Sequence, residues 1–176
     1  MFRQSLHTET LPLYQCPTTA GIFGVMLSGN VIKALFFPAG YPSYKITDAS
    51  HSLVEKLSHD LNYFFDGHPV DWSTYSIDLS SGTDYQRAIW RTLQTIPYGT
   101  CWSYGEVAGK AGFNGARAVG NACNKNPIPI IIPCHRVIHK SNKLGGFGSG
   151  IKWKQFLLCC EGLRHENDKL FYSKAE

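Results

Sequence analysis

The chain has 176 residues, of which 43% are hydrophobic, 13% aromatic and 17% charged, with a formal net charge of +4. This length fits one ordinary domain or two small ones, and the apolar fraction excludes a wholly disordered chain. The sequence contains no run of about 18 apolar residues, so it predicts no membrane span. The first 20 residues, which include Glu9, lack the apolar region of a signal peptide. We therefore expect a soluble, cytoplasmic protein without a membrane partner.

The positive charge is concentrated in one part of the chain. Residues 1–84 contain four Lys or Arg and eight Asp or Glu, whereas residues 85–160 contain ten basic residues and one acid. The second block therefore carries +9, and residues 161–176 return to −1. A basic block of this kind is typical of a surface that binds nucleic acid, and a solvated basic face without a partner is the alternative.

The N-terminal half predicts a small α/β unit. Residues 21–27 and 31–37 are apolar, β-prone runs separated by Ser-Gly-Asn, which is typical of a hairpin. Residues 50–65 place apolar side chains at helical spacing, and the sequence Asp-Gly-His-Pro at residues 66–69 ends this helix. Residues 74–79 predict a further strand.

The sequence Ser-Ser-Gly at residues 80–82 predicts a domain boundary. We expect a small N-terminal α/β domain over residues 1–82, with a short sheet and a helix. A mostly helical domain follows over residues 83–176, so the fold class is α/β in the α+β arrangement. Two capping boxes, Thr83 with Gln86 and Ser103 with Glu106, open its first two helices.

Residues 115–124 suit a third helix, which with the second resembles a helix-turn-helix. Its side chains are small around one long basic residue: Ala116, Arg117, Ala118, Val119, Gly120 and Ala122. Reading bases in the major groove requires several long polar side chains, whereas small residues let the backbone approach DNA closely. The composition therefore favours sequence-independent binding in the minor groove over a sequence-specific regulator.

The candidate nucleophile is Cys134. The chain has six cysteines, none in a CxxC pair, so reduced, buried thiols are the default interpretation and we expect no metal site. The Pro-rich residues 127–133 lead into Cys134, His135 and Arg136, and the last two favour the thiolate form of the first. Neighbours in an extended segment point to opposite sides, so the pattern does not ensure direct contact between Cys134 and His135, and a water could relay the proton. A core cysteine beside a chance histidine stays open at this point.

Residues 97–137 resemble the signature region of the methylated-DNA–protein-cysteine methyltransferases. The most specific part is IPCHRV, with ARAVG and NP upstream, and the resemblance runs from about residue 83 to Gly162. The N-terminal half resembles the family only in its size, hairpin and helix. The resemblance implies repair of O6-alkylguanine, and of O4-alkylthymine, by irreversible transfer of the alkyl group to the protein's own cysteine. The base leaves the duplex first, and no cofactor is used.

The resemblance also assigns the catalytic machinery. Cys134 matches the acceptor, His135 the histidine that takes the thiol proton through a water, and Glu161 the glutamate that orients this histidine. Asn126 matches the hinge asparagine that joins the DNA-binding helix to the active-site segment. Tyr104 matches the tyrosine that helps to rotate the nucleotide out of the duplex and donates to the base.

Double-stranded DNA carrying O6-alkylguanine is the implied partner, bound by a monomer through the minor groove with little sequence preference. Arg117 matches the arginine that fills the gap left by the flipped base. The other expected DNA-binding residues are Tyr104, Ala116, Ala118, Gly120, Lys125 and Arg136. The expected base pocket comprises Cys123, Leu144, Phe147, Gly148 and Ser149. Some relatives carry Tyr-Ser where this chain has Phe-Gly, so the donor to O6 there would be a backbone amide.

Three other classes stay open. Alkyltransferase-like proteins share the DNA-binding frame but carry another residue at the acceptor position, so Cys134 argues against them. A DNA-binding regulator needs a longer base-reading helix, and the chain is too short for the zinc-binding phosphotriester domain of some relatives. A thiol peroxidase or cysteine protease would explain Cys134 but leaves the basic block and Arg117 without a role.

Overall fold

The structure is a computed structural model that describes residues 11–40, 46–47, 49–166 and 168–171; Glu9 lies outside these ranges. The strands of the first sheet are β1 (Leu13–Thr18), β2 (Gly21–Ser28), β3 (Val31–Phe36) and β4 (Ile46–Thr47). They lie in the order β3-β2-β1-β4, with β1 antiparallel to β2 and parallel to β4. The β2–β3 hairpin confirms the prediction. The β1 strand was not predicted, because its residues show no apolar β-prone run.

The predicted helix of the N-terminal half is confirmed as α1 (Ser52–Phe65), which buries Val54, Leu57, Leu61 and Phe64. The predicted strand over residues 74–79 is wrong in most of its length. Asp71 caps a 3₁₀ turn at Trp72–Thr74, and only a single bridge joins Ile77 to Ile32 of β3. A cap that satisfies the backbone locally competes with strand pairing.

The helices of the C-terminal half are α2 (Asp84–Leu93), α3 (Tyr104–Lys110), α4 (Ala116–Asn124) and α5 (Ile151–Cys160). Both predicted capping boxes are present, at the starts of α2 and α3. The short strands β5 (Trp102–Ser103) and β6 (Val137–Ile138) pair in parallel, and β7 (Arg164–Glu166) pairs with β8 (Lys169–Phe171) antiparallel. The α3 and α4 helices pack against each other and against α2.

The hydrophobic core is continuous across residues 80–82. One cluster of buried side chains contains Phe23 and Phe64 of the N-terminal half together with Trp90 and Ile132 of the C-terminal half. Gly82 itself is buried, and a Cβ there would lie 2.3 Å from the Trp90 ring. The domain boundary stays a prediction, and the packing ties the two halves together around the region that leads to Cys134.

Membrane-spanning helices and metal-binding clusters were both unexpected from the sequence. Within the described residues, no helix combines the length and the apolar character that crossing a membrane requires. Over the same part of the chain, no group of three or more His, Cys, Asp or Glu side chains is arranged to hold a metal ion. The six cysteines are free thiols.

Candidate active site

Asn126 organises the segment that leads to Cys134. Its Nδ2 donates to the carbonyl of Ile132 at 2.8 Å and to Cys134 Sγ at 3.1 Å, and its Oδ1 accepts from the N–H of Ile128 at 3.0 Å. The loop between these contacts holds Ile130 at φ +73°, a conformation that β-branched residues rarely adopt. Such strain persists only where the surroundings enforce it. Asn126 and the buried isoleucines around it therefore fix the position of the sulfur.

Cys134, His135 and Arg136 form a 3₁₀ turn rather than an extended segment, so that sequence expectation is wrong. All three side chains are buried, and Cys134 is 6% exposed. The turn begins after Pro133, whose ring restricts the backbone. A turn lets consecutive side chains reach different elements. Cys134 contacts Asn126, while His135 reaches the end of α5.

His135 is held by Glu161, the C-cap residue of α5. Its Nε2 lies 2.6 Å from Glu161 Oε1, and the Phe64 ring packs edge-on with its centroid 6.3 Å from that of the imidazole. Because a carboxylate accepts, we assign the Nε2 proton to this bond. The other nitrogen, Nδ1, is buried and has no hydrogen-bond partner in the described part of the chain. It is therefore left as the acceptor available for a proton.

The Glu161 carboxylate also holds Arg136 and the backbone of Gly99. Arg136 Nε donates to Oε1 at 3.0 Å and to Oε2 at 3.1 Å, and the N–H of Gly99 donates to Oε2 at 2.9 Å. Arg136 also donates to the carbonyl of Ile96 at 2.6 Å and is 5% exposed. The expectation that Arg136 contacts DNA is therefore wrong, since its guanidinium is committed to a buried ion pair.

Burial dominates the electrostatics of this site. It raises the pKa of the Cys134 thiol, against the hydrogen bond from Asn126 and the charge of Lys154. It lowers the pKa of His135 by more than Glu161 raises it. Burial would also raise the pKa of Glu161, but His135 and Arg136 outweigh it and hold that pKa below its usual range. The resting site is thus a neutral thiol, a neutral imidazole and a carboxylate, so the expectation that His135 and Arg136 favour the thiolate form of Cys134 is wrong for this resting site.

Lys154 is a buried cation that the sequence analysis did not select. It lies in α5, is 1% exposed, and its Nζ donates to the carbonyls of Val137, at 2.6 Å, and Leu144. Burial lowers its pKa to about 8, against the opposing effect of nearby thiols that include Cys134. The ammonium therefore joins the segment after the 3₁₀ turn to the loop beginning at Leu144. The signal for it was weak, because lysine on an apolar helix usually extends to the surface.

We expect Lys154→Met to remove a pH-dependent part of the stability. An unfolded lysine stays protonated to about pH 10.4, whereas the folded one loses its proton above about 8. Between these values the unfolded state binds more protons, so stability rises with pH. The free energy of unfolding of the natural protein minus that of Lys154→Met should therefore rise by up to about 3 kcal/mol between pH 8 and 10.

Denaturant titrations under reducing conditions at several pH values measure this difference. Lys152→Met, which removes an exposed lysine from the same helix, is the matched control and should give a flat difference. A flat difference for Lys154→Met as well would show that Lys154 is not desolvated in solution.

Tyr104 begins α3 and packs between three elements. Its ring lies 5.3 Å, centroid to centroid, from the ring of His139 and faces Gly120 of α4. Gly145, at φ +72°, comes so close that a Cβ there would lie 3.2 Å from the Tyr104 hydroxyl and 2.9 Å from His139 Nε2. Burial raises the pKa of Tyr104 to about 12. The phenol therefore keeps its proton.

The remaining residues predicted to bind DNA lie on or next to α4. Ala116, Arg117 and Lys125 are exposed, whereas Ala118 and Gly120 are partly buried. The buried side of the helix is formed by Val119 and Ala122. The exposed side of α4 therefore combines small residues with one arginine, as the sequence indicated.

The predicted base-pocket residues divide into two groups. The side chain of Leu144 is fully buried in a separate cluster with Ile138 and Leu158, and its place in the pocket stays a prediction. Phe147 is partly buried against Phe37, whose ring centroid lies 5.8 Å away. Gly148 and Ser149 are exposed and line a cavity. Cys123 is partly buried and close enough to Cys134 for their charges to interact, and burial raises the pKa of its thiol.

The chain is similar in sequence and in structure to known proteins. The family described as 6-O-methylguanine DNA methyltransferase, DNA binding domain, matches residues 84–163. A methylated-DNA–protein-cysteine methyltransferase of Methanosarcina acetivorans is 37% identical over 145 residues, 78% of this chain and 91% of the relative. That of Methanothermobacter thermautotrophicus is 34% identical over 81% of each chain. A crystal structure of Mycobacterium tuberculosis OGT in complex with DNA superposes with a TM-score of 0.73 at 36% identity, covering 86% of this chain and 93% of that one.

Proposed function

Because this chain belongs to the methylated-DNA–protein-cysteine methyltransferase family, we propose that it removes the alkyl group of O6-alkylguanine from double-stranded DNA. The acceptor is Cys134, and each molecule reacts once. The observation that carries the proposal is the buried chain of contacts from Asn126 and Cys134 to His135 and Glu161. It supplies a fixed nucleophile, a base with a free acceptor nitrogen, and a carboxylate that orients the base.

The transfer proceeds as an in-line displacement. His135 Nδ1 takes the Cys134 proton through one water molecule, and Glu161 stabilises the imidazolium that forms. The sulfur attacks the alkyl carbon as the bond from that carbon to guanine O6 breaks. The bonding electrons pass to the base, which takes up a proton and becomes ordinary guanine. The carbon–sulfur bond of the resulting thioether is not hydrolysed, so Cys134 stays alkylated and the protein is consumed.

The substrate base reaches Cys134 only outside the duplex. The acceptor is buried, and a stacked guanine presents O6 on its major-groove edge, which a protein bound in the minor groove cannot reach, so the nucleotide has to flip out. Arg117, exposed on α4 among small residues, fills the gap, and Tyr104 donates to the flipped base. The small residues favour minor-groove binding with little sequence preference. O4-alkylthymine offers the same alkyl–oxygen bond and is proposed as a second substrate of the monomeric protein.

Intact mass after incubation with a duplex that carries O6-methylguanine tests the proposal. A gain of one methyl group, about 14 Da, mapped to Cys134 establishes transfer, because a protein that only recognises damage forms no thioether. Lesion binding without any gain in mass would instead make the protein a damage-recognition module.

Arg117→Ala should slow repair of duplex DNA but leave the reaction with free O6-alkylguanine unchanged. Flipping the nucleotide costs a few kcal/mol, and Arg117 offsets part of this cost by filling the gap in the duplex. Losing that contribution should slow repair about tenfold to a hundredfold. The rates are measured for both substrates, with Arg164→Ala, an exposed arginine of β7, as the equal-charge control. Equal loss of the free-base reaction in Arg117→Ala would contradict the assigned role, because that substrate needs no flipping.

A further inference from the structure

The register of a short parallel strand pair places His139 beside Tyr104. Strand β5 ends at Ser103 and β6 ends at Ile138, and these two residues are partners in the pair. Tyr104 and His139 are the next residues along the two strands, so they leave the pair at the same end and next to each other. Their rings lie 5.3 Å apart, centroid to centroid, with 55° between the ring planes. Interacting aromatic rings usually lie at such distances.

The backbone holds His139 in this position. Its N–H donates to the carbonyl of Lys143 at 2.8 Å, and its carbonyl accepts from the N–H of Asn142 at 2.9 Å, which closes a turn directly after β6. Asn142 has a φ of +60°, a conformation that asparagine tolerates in turns. His139 itself is exposed, whereas the core is built from buried side chains. A substitution at residue 139 therefore changes the contact with Tyr104 without opening the core.

Two other neighbours of the Tyr104 ring are glycines. A Cβ on Gly120 of α4 would lie 3.9 Å from Tyr104 Cε1, and a Cβ on Gly145 would lie 3.2 Å from the Tyr104 hydroxyl. Neither glycine has a side chain that could restrict the rotation of the phenol between its rotamers. His139 supplies the side-chain contact that these two glycines do not.

The proposed role of Tyr104 requires a ring that stays in place. The ring has to meet the nucleotide as it leaves the duplex, and a misplacement of about 1 Å in a positioning group can cost about a hundredfold in rate. Resting on the proposed function, we infer that His139 is a positioning residue for base extrusion, whose imidazole holds Tyr104 in the orientation that acts on the target nucleotide.

The imidazole also contacts the loop that leads to the predicted base pocket. A Cβ on Gly145 would lie 2.9 Å from His139 Nε2, so the loop passes directly over this ring. Two residues after Gly145 the loop reaches Phe147, the first of the three consecutive residues predicted to line the pocket. His139 thus lies between Tyr104 and the loop, the two parts of the site that receive the base.

Two variants of residue 139 test this inference. His139→Ala removes the ring, whereas His139→Phe keeps an aromatic ring in its place. His68→Ala is the matched control, because the exposed His68 also stacks on a tyrosine, with its centroid 4.3 Å from that of Tyr63 in α1. Methyl transfer from a duplex with O6-methylguanine is followed in single turnovers. The protein concentration saturates the DNA, so the rate constant reports the steps after binding.

His139→Ala should transfer the methyl group about threefold to tenfold more slowly than the natural protein, as expected for the loss of one aromatic contact. His139→Phe should return to within about twofold of the natural rate, and His68→Ala should stay within the same limit. Affinity of His139→Ala for an undamaged duplex should also stay within about twofold, because this DNA requires no base extrusion.

A double-mutant cycle with Tyr104 separates the positioning role from a general loss of structure. In a Tyr104→Ala background, adding His139→Ala should change the rate by less than about twofold, because the ring that His139 holds is gone. Equal slowing in both backgrounds, a natural rate in His139→Ala, or no recovery in His139→Phe would overturn the inference. Absence of methyl transfer in the natural protein would instead overturn the proposed function.

Discussion

Cys134→Ala is expected to abolish alkyl transfer while lesion binding is retained. The substitution removes the nucleophile, but Asn126 keeps its bonds to Ile132 and Ile128, so the segment that presents residue 134 stays in place. The exposed face of α4 is unchanged as well. Affinity for a duplex with O6-methylguanine should stay within about threefold, a difference of less than 1 kcal/mol. Mass spectrometry and a binding titration on the same preparation measure both properties.

Cys159→Ala is the matched control, since Cys159 is the exposed cysteine at the end of α5. It should transfer the methyl group as the natural protein does. A methyl group on any other cysteine of Cys134→Ala would show that a second thiol is the acceptor. Loss of lesion binding in Cys134→Ala would show that the thiol also holds the base.

Glu161→Gln is expected to slow transfer by about 10² to 10⁴, the usual contribution of a well-placed base. Glu161 is a positioning residue, because it acts on the sulfur only through His135. The amide still accepts one hydrogen bond, but it cannot balance the charge of Arg136 or stabilise an imidazolium. Breaking a buried pair by removing one partner typically costs about 3–5 kcal/mol. The free energy of unfolding should therefore fall by a similar amount, as measured in denaturant.

Rate and stability are separated by measuring transfer well below the unfolding midpoint of the variant. The pH profile gives a further readout that lost packing alone would not move. Glu161 raises the pKa of His135, so the acid limb of the rate profile should shift to lower pH in Glu161→Gln. Glu166→Gln, at an exposed glutamate of β7, should leave rate, stability and profile unchanged. An unshifted acid limb with a natural rate would rule out His135 as the base.

Local features of the sequence account for much of the observed fold. The capping boxes at Thr83 and Ser103 and the β2–β3 turn depend on contacts between residues a few positions apart, so they were predictable. The strand predicted over residues 74–79 was wrong in most of its length because Asp71 caps a 3₁₀ turn there. Asp71 lies outside the apolar pattern on which the prediction was based. The β1 strand was missed because it is formed by pairing with β2, whereas its own composition is not typical of a strand.

The sequence by itself determined the candidate nucleophile, its neighbouring histidine, the small-faced α4 helix with Arg117, and the family. Each of these lies in a contiguous motif. Only the tertiary structure decided the protonation states, because burial raises the pKa of Cys134 and lowers that of His135. It also turned Arg136 inward to Glu161 and buried Lys154 against the carbonyls of Val137 and Leu144. These outcomes depend on desolvation and on contacts between distant segments, which neither spacing nor composition encodes.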